Sequence, residues 1–205
     1  TKVWFDNLEP ATLKASVEES LEKLDTGYVD LLLIHWPSPN NEVPMADYLT
    51  ALKDVKAEGK ARHIGISNFT CEQVDEAISI LGKGEILTNQ IEVHPFLQNR
   101  KLAEHCEHQG LQVTAFMPLA VGKVMEDPTL QKIADAHGVT PAQITLAWVN
   151  QRNMITIPSS TKARNIQSNI AAFDLVLSDS DMADIAMLDR QERIANPDFA
   201  PAWDE

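Results

Sequence analysis

His35 is the residue of this chain whose type and place most directly suggest chemistry. It ends the apolar run Val29-Asp30-Leu31-Leu32-Leu33-Ile34 and precedes Trp36-Pro37, so an imidazole that is costly to bury stands where a strand runs out. There it can donate a hydrogen bond to a carbonyl oxygen or exchange a proton. A structural histidine satisfied by backbone fits the same position, and position alone does not choose between them. Other polar groups follow apolar runs in the same manner. Ser67-Asn68 follow Ile64-Gly65-Ile66, Asn89-Gln90 and Glu92 lie within Leu87 to Val93, and Ser159-Ser160-Thr161 follow Ile155 to Pro158. By themselves Ser67-Asn68 read as a turn whose side chains bind backbone, and Gln90 as an amide that needs a buried partner.

Ile157 to Asn165 passes from a strand end into a helix start. Free N–H groups there, the hydroxyls of Ser159, Ser160 and Thr161, and the cations Lys162 and Arg164 suit a phosphate better than an ordinary cap. Two strings are set aside. His105 and His108 lie three apart on a polar helical stretch beside Cys106, without a third ligand, so a solvated face is expected and no metal. Gly122-Lys123 lacks the preceding glycine and following hydroxyl of a phosphate loop.

Elements that alternate must position these groups. Short β-rich runs at Tyr28 to Ile34, His63 to Ile66, Ile86 to Val93, Leu111 to Met117 and Met154 to Ile157 are each followed by a helical pattern, which implies parallel βαβ units. Leu13, Val17, Leu21 and Leu24 make an apolar stripe at helical spacing after Pro10. Capping boxes with flanking staples are expected at Thr70 to Gln73, Thr140 to Gln143 and Ser178 to Asp181. No Gly-x-Gly-x-x-Gly follows a strand, which argues against an open dinucleotide-binding sheet. Polar groups gathered from one strand end after another are the arrangement of a (β/α)8 TIM barrel. With a stub at Thr1-Lys2-Val3 the strands number six, against eight and about 250 residues in that fold. The chain opens on Thr1 and runs straight into Val3-Trp4. We therefore expect an N-terminally incomplete barrel, a single domain over residues 1–205 comprising about strand 3 to strand 8, a C-terminal helix and a tail at 190–205.

The balance of 30 acidic against 17 basic side chains leaves no basic field for nucleic acid or an anionic membrane. The longest apolar runs are of strand length, short of a membrane span. Cys71 and Cys106, both on expected helices, fit reduced thiols in a cytoplasmic protein.

Together the strings Thr1-Lys2-Val3-Trp4, Val29 to Pro37, Ile64 to Phe69, Asn89-Gln90-Ile91-Glu92-Val93-His94-Pro95 and Ile157-Pro158-Ser159-Ser160 resemble the aldo-keto reductases from Thr1 to the end of the chain. Within that family the chain is most similar to the bacterial 2,5-diketo-D-gluconate reductase group. The resemblance implies a (β/α)8 barrel that reduces aldehydes and ketones with NADPH through an Asp, Tyr, Lys and His tetrad, acting as a monomer on a small-molecule carbonyl substrate. It puts the Lys at Lys2 and the His at His35. Ser67, Asn68 and Gln90 match residues that hold the nicotinamide carboxamide. Phe116 stands where a tyrosine usually stacks on the ring. Leu119, Ser159, Ser160, Thr161, Lys162, Arg164 and Asn169 match further cofactor positions, and Trp4, Trp36 and Trp203 match walls of the substrate pocket.

The chain also departs from that pattern. Ser159 and Asn165 replace a Lys and an Arg of the phosphate motif, and Lys162 and Arg164 in the same turn are the candidates to take over, which keeps the expectation at NADPH. The tetrad's Asp and Tyr lie upstream of the Thr-Lys strand in the family. Here Tyr28 opens a strand at the wrong barrel end and Tyr48 sits in the helical stretch after His35. Reductase activity is therefore expected of the complete protein and not of these residues alone. A catalytically silent NADP(H)-binding sensor is the second reading. An unrelated barrel gripping a phosphorylated substrate is the third, and it leaves His35, Ser67-Asn68 and Gln90 as coincidences.

Overall fold

In the computed structural model, which describes residues 1–204, six strands form one sheet in chain order. They are β1 (Lys2–Val3), β2 (Val29–Ile34), β3 (Ala61–Ser67), β4 (Ile86–Glu92), β5 (Gln112–Phe116) and β6 (Ile155–Thr156). The β1–β2, β2–β3, β3–β4 and β5–β6 pairs are parallel. This α/β arrangement is the one that strand runs alternating with helices imply. The chain divides into two compact units, one of Thr1–Gln90, Lys101–Gln112 and Pro197–Glu205, the other of Ile91–Arg100 and Val113–Asn196.

In the first unit α1 (Pro10–Leu24), α2 (Met45–Ala57), α3 (Cys71–Leu81) and most of α4 (Arg100–His108) accompany β1 to β4. Pro10 opens α1, where its missing N–H is no loss, and Leu13, Val17 and Leu21 are buried as their spacing requires. Leu24, the fourth residue of that expected stripe, is 54% exposed: the helix stops there, with Asp25 in the left-handed region at φ 51°, and nothing covers it. Leu32, Ile34, Ile64 and Ile66 are almost wholly buried, and each such side chain contributes about 1.5–3 kcal/mol by leaving water. Between them Gly65 faces Leu33 in register, and a Cβ there would lie 2.6 Å from Leu33 Cδ2 and 2.8 Å from the Thr88 carbonyl oxygen. Only glycine lets β2, β3 and β4 close up at this level.

The second unit carries β5, β6, α5 (Pro128–His137), α6 (Pro141–Gln151), α7 (Ala163–Ala171) and α8 (Asp179–Ala186). Leu130, Ile133, Ile144, Trp148, Leu177 and Ile185 form its core. The strand expected over Met154 to Ile157 shrinks to Ile155–Thr156, with Ile155 and Ile157 exposed on either side of Thr156. No residue of α7 is buried, and Ile166, Ile170 and the following Phe173 stand 46%, 62% and 55% exposed.

All three capping boxes form. Thr70, Thr140 and Ser178 each accept the N3 amide while Gln73, Gln143 and Asp181 reach back. Both cysteines are free. Among the described residues no helix is long and apolar enough to cross a membrane, and no group of three or more His, Cys, Asp or Glu side chains could hold a metal ion.

Candidate active site

In the first unit the polar residues stand at consecutive strand ends. Lys2 pairs with Leu33 in register, and the His35 amide donates to the Val3 carbonyl at 2.9 Å, so the imidazole is carried just past the end of β2 beside the end of β1. The ring is half-buried and meets Trp4 edge-on, 5.0 Å between centroids. Burial, and then the positive charge of Lys2, push the His35 pKa down to about 4. At neutral pH the ring therefore has one N–H to donate and one bare nitrogen. Burial also lowers the Lys2 pKa and is its only cause.

Ser67 binds backbone, as the turn reading of Ser67-Asn68 expects. Its side chain is wholly buried, and Oγ donates to the Gln90 carbonyl at 2.8 Å, tying β3 to β4. Asn68 takes the left-handed region at φ 63°, which asparagine tolerates better than most residues. Its Nδ2 donates to the His35 carbonyl at 3.0 Å and to Ser67 Oγ at 3.2 Å, so Asn68 links two strand ends. The Gln90 side chain is 5% exposed, and its Oε1 is buried without a hydrogen-bond partner. A buried amide oxygen left unpaired is expensive, and one at a strand end is fitted to accept an N–H from a bound molecule. This unpaired acceptor matches the N–H of a carboxamide.

An aromatic wall adjoins His35. Phe199 of the tail meets Trp4 at 5.9 Å, Phe5 at 4.5 Å and Trp36 at 5.4 Å, and Trp203 meets Trp36 at 6.0 Å. The tail is anchored by Asp204, whose Oδ2 accepts the amide of Cys71 at the start of α3 at 2.8 Å. Sequence reasoning found Trp4, Trp36 and Trp203 but missed Phe199 and Asp204, because a tail without periodicity carries no sign of what it touches. Phe199 also lines a cavity of about 660 Å³ with Tyr48, Glu72 and Glu76, but neither Lys2 nor His35 borders it, so it is not a carbonyl site.

Neither tyrosine is a ready acid. Tyr48 is 1% exposed; burial raises its pKa, although the Ser38 backbone binds its oxygen. Tyr28 precedes β2 at the end opposite His35, roughly 20 Å along the strand at about 3.3 Å per residue, and accepts from Arg62 Nη2 at 2.7 Å. His105, expected on a solvated face, makes an exposed pair with Asp75 there at 2.8 Å.

In the second unit Phe116 ends β5 half-buried, and its carbonyl accepts the Val93 amide at 3.3 Å. The turn after it is strained: Met117, Ala120 and Val121 have φ of 48°, 47° and 54°, and a β-branched residue rarely adopts such a value. Leu119 lies within that turn, half-buried. Ser159, Thr161, Lys162 and Arg164 are exposed, Ser160 and Asn169 half-buried. Ser160 Oγ accepts the Lys162 amide at 3.2 Å, and Lys162 is the N-cap of α7 without a side-chain cap bond. Lys162 and Arg164 pair with no carboxylate among the described residues. An uncapped helix start flanked by two unpaired cations can take an anion.

Comparison with known proteins bears on both units. The sequence profile of the Aldo/keto reductase family matches residues 1–190. The chain is 50% identical over all 205 residues to methylglyoxal reductase DkgB of Yersinia pestis, spanning 77% of that protein, and 47% identical to its namesake in Escherichia coli O157:H7 over the same share. It is 38% identical to the glyoxal reductase of Bacillus subtilis, with 97% of this chain and 71% of that protein covered. A crystal structure described as a 2,5-diketo-D-gluconic acid reductase B matches at TM-score 0.95 and 43% identity, covering all of this chain and 73% of the other.

Proposed function

From its membership of the Aldo/keto reductase family, we propose that this chain serves the NADPH-dependent reduction of small aldehydes and ketones to alcohols, with 2-oxoaldehydes and diketo sugar acids, named for its relatives, as the substrate class. The observation that carries the reading is the unpaired Gln90 Oε1, buried two residues short of the end of β4 in the unit that holds Lys2 and His35. It is an acceptor looking for an amide donor of the kind a nicotinamide carboxamide offers.

Reduction adds a hydride to the carbonyl carbon and a proton to its oxygen. The reduced nicotinamide, when bound, supplies the hydride. His35, neutral at pH 7, donates its N–H to the carbonyl oxygen and so orients and polarises it. The Lys2 ammonium favours the negative charge that grows on that oxygen. Asn68 and Gln90 bind the carboxamide, and Ser67 acts on it through the β4 backbone. Phe116 offers an aromatic face for stacking, and Leu119 packs beside the cofactor. Trp4, Trp36 and Trp203 exclude water from the carbonyl. Ser159, Ser160, Thr161, Lys162, Arg164 and Asn169 hold the phosphate end, with Lys162 and Arg164 reading the 2′-phosphate.

The proton has no good source in Tyr28 or Tyr48, so we expect residues 1–205 by themselves to turn over carbonyl compounds very slowly. The same observation favours a second reading, a catalytically silent NADP(H)-binding barrel. Either way the protein works as a cytoplasmic monomer. The test is cofactor affinity, followed by nicotinamide fluorescence. NADPH should bind more tightly than NADH, and Lys162→Ala with Arg164→Ala should bring the two affinities together, a loss of about tenfold or more for NADPH. An unchanged affinity ratio would falsify the phosphate assignment. Rapid aldehyde-dependent NADPH oxidation by residues 1–205 would rule out the silent reading.

A further inference from the structure

In the first unit the tail over 197–204 carries two rings of the aromatic wall, Phe199 and Trp203, and has no helix or strand of its own. Within it the Ala200 amide donates to the Pro197 carbonyl at 2.9 Å, a single turn that leaves the rest of the segment to be placed by what it touches. Packing alone does not fix Phe199 either. It lines the cavity of about 660 Å³ with Tyr48, Glu72 and Glu76, and a residue that borders open volume can shift where a packed core would stop it.

Asp204 supplies an anchor at the far end of the same segment. α3 begins at Cys71, and the first N–H groups of a helix have no partner inside it. The capping box serves the Gln73 amide, which Thr70 Oγ1 accepts at 3.4 Å, and the Thr70 amide, which Gln73 Oε1 accepts at 3.0 Å. It does not reach the Cys71 amide, and that N–H donates to Asp204 Oδ2 at 2.8 Å across 133 residues of chain. The Cys71 thiol donates to the same carboxylate; burial first, and then Asp204, push its pKa up to about 11, so it keeps its proton. A carboxylate on a helix start also meets the positive end of the helix dipole. Trp203, the residue before this anchor, meets Trp36 edge-on at 6.0 Å, and Phe199 joins Trp36 to Trp4, whose ring lies 5.0 Å from that of His35.

We propose that Asp204 is a positioning residue for the substrate pocket: by seating the tail on the start of α3 it sets where Trp203 and Phe199 stand against Trp36 and Trp4, and so how well an aromatic aldehyde fits beside His35. The substrate arm of this proposal rests on the carbonyl-reductase reading; the tie itself does not. The tie can be cut from either end. Asp204→Ala removes the acceptor. Cys71→Pro removes the donor and leaves Asp204 intact, and the helix tolerates it, because proline is favoured at a first helical position and Thr70 before it is already extended at φ −75°, ψ 171°. Cys71→Ala removes the thiol and keeps the amide.

The test uses the full chain and three measurements. Near-ultraviolet circular dichroism of the coupled tryptophan rings reads the wall, quenching of tryptophan emission by 4-nitrobenzaldehyde reads the pocket, and nicotinamide fluorescence reads NADPH binding. In Asp204→Ala and in Cys71→Pro we expect the tryptophan bands to fall by half or more, nitrobenzaldehyde to bind about tenfold more weakly, and NADPH affinity to stay within twofold. Cys71→Ala should match the parent. The double variant Asp204→Ala with Cys71→Pro should bind the aldehyde no more weakly than either single one, because both cut the same bond. If Cys71→Pro does not fold, Asp204→Ala decides. Unchanged tryptophan bands overturn the proposal. So do altered bands with unaltered aldehyde affinity, which makes the tie merely structural, and losses that add in the double variant, which make the two residues independent. Should the parent itself fail to bind the aldehyde while the variants lose the bands, the carbonyl reading falls and the tie stands.

Discussion

Gln90→Met should make the protein more stable and a worse cofactor binder, and the opposition of the two effects is what makes it informative. The Gln90 side chain is 5% exposed with Oε1 unpaired. Its backbone carbonyl accepts from Ser67 Oγ at 2.8 Å and from the Asn68 amide at 3.0 Å, and both bonds survive a change of side chain. An orphaned buried acceptor costs about 1–3 kcal/mol, and a methionine of similar volume removes it without opening a cavity. We take the lower end, about 1 kcal/mol, because the other half of the amide is lost too. For a chain of this size that is about 2–4 °C in Tm. In the other direction, losing one hydrogen bond to a carboxamide costs about 1–1.5 kcal/mol, about five- to tenfold in the NADPH Kd. Thermal unfolding followed by far-ultraviolet circular dichroism, alone and with NADPH, reads both effects. A variant less stable than the parent without cofactor, or one that binds NADPH equally well, would refute the reasoning.

His35 should titrate at about 4 and not near 6.5, as read from the pH dependence of its ring resonances by NMR. Its folded pKa lies below the unfolded one, so its contribution to stability is complete above about 6.5 and is lost as the pH falls from there towards 4. Lys2→Met should raise that pKa only part of the way, because burial is the larger cause; a full return to 6.5, or no change, contradicts the assignment. Gly65→Ala forces a methyl group against Leu33 Cδ2 and the Thr88 backbone oxygen, which cannot swing aside as a side-chain end could. The cost should be about 2–3 kcal/mol, a fall of about 5–10 °C in Tm, and a melting point within 2 °C of the parent would show that β3 has room there.

The alternation of strand and helix, the family strings and the three capping boxes were legible because each rests on residues within a few positions of one another. Thr70 and Gln73 meet wherever the helix they open is packed. Burial was legible only in part: the α1 stripe went inside except for Leu24, and the Ile155–Ile157 run kept two residues of β structure because its side chains are not covered. Ser67 shows a further limit. Its type and strand-end position were read correctly, yet which neighbour its hydroxyl serves depends on the β3–β4 register, and register is not a local property.

The amino-acid sequence by itself determined the order of the elements and the strand ends at which His35, Asn68, Gln90 and Ser160 stand, since strand period and cap chemistry are settled within about one turn of chain. Only the tertiary structure decided that His35 is neutral at pH 7, that Gln90 Oε1 is left without a partner, and that Glu92 holds a backbone 102 residues away. The reason is physical. Desolvation, the field of a neighbouring lysine and the pairing of a buried carboxylate are set by what the folded chain places around an atom, and no window of sequence contains those surroundings.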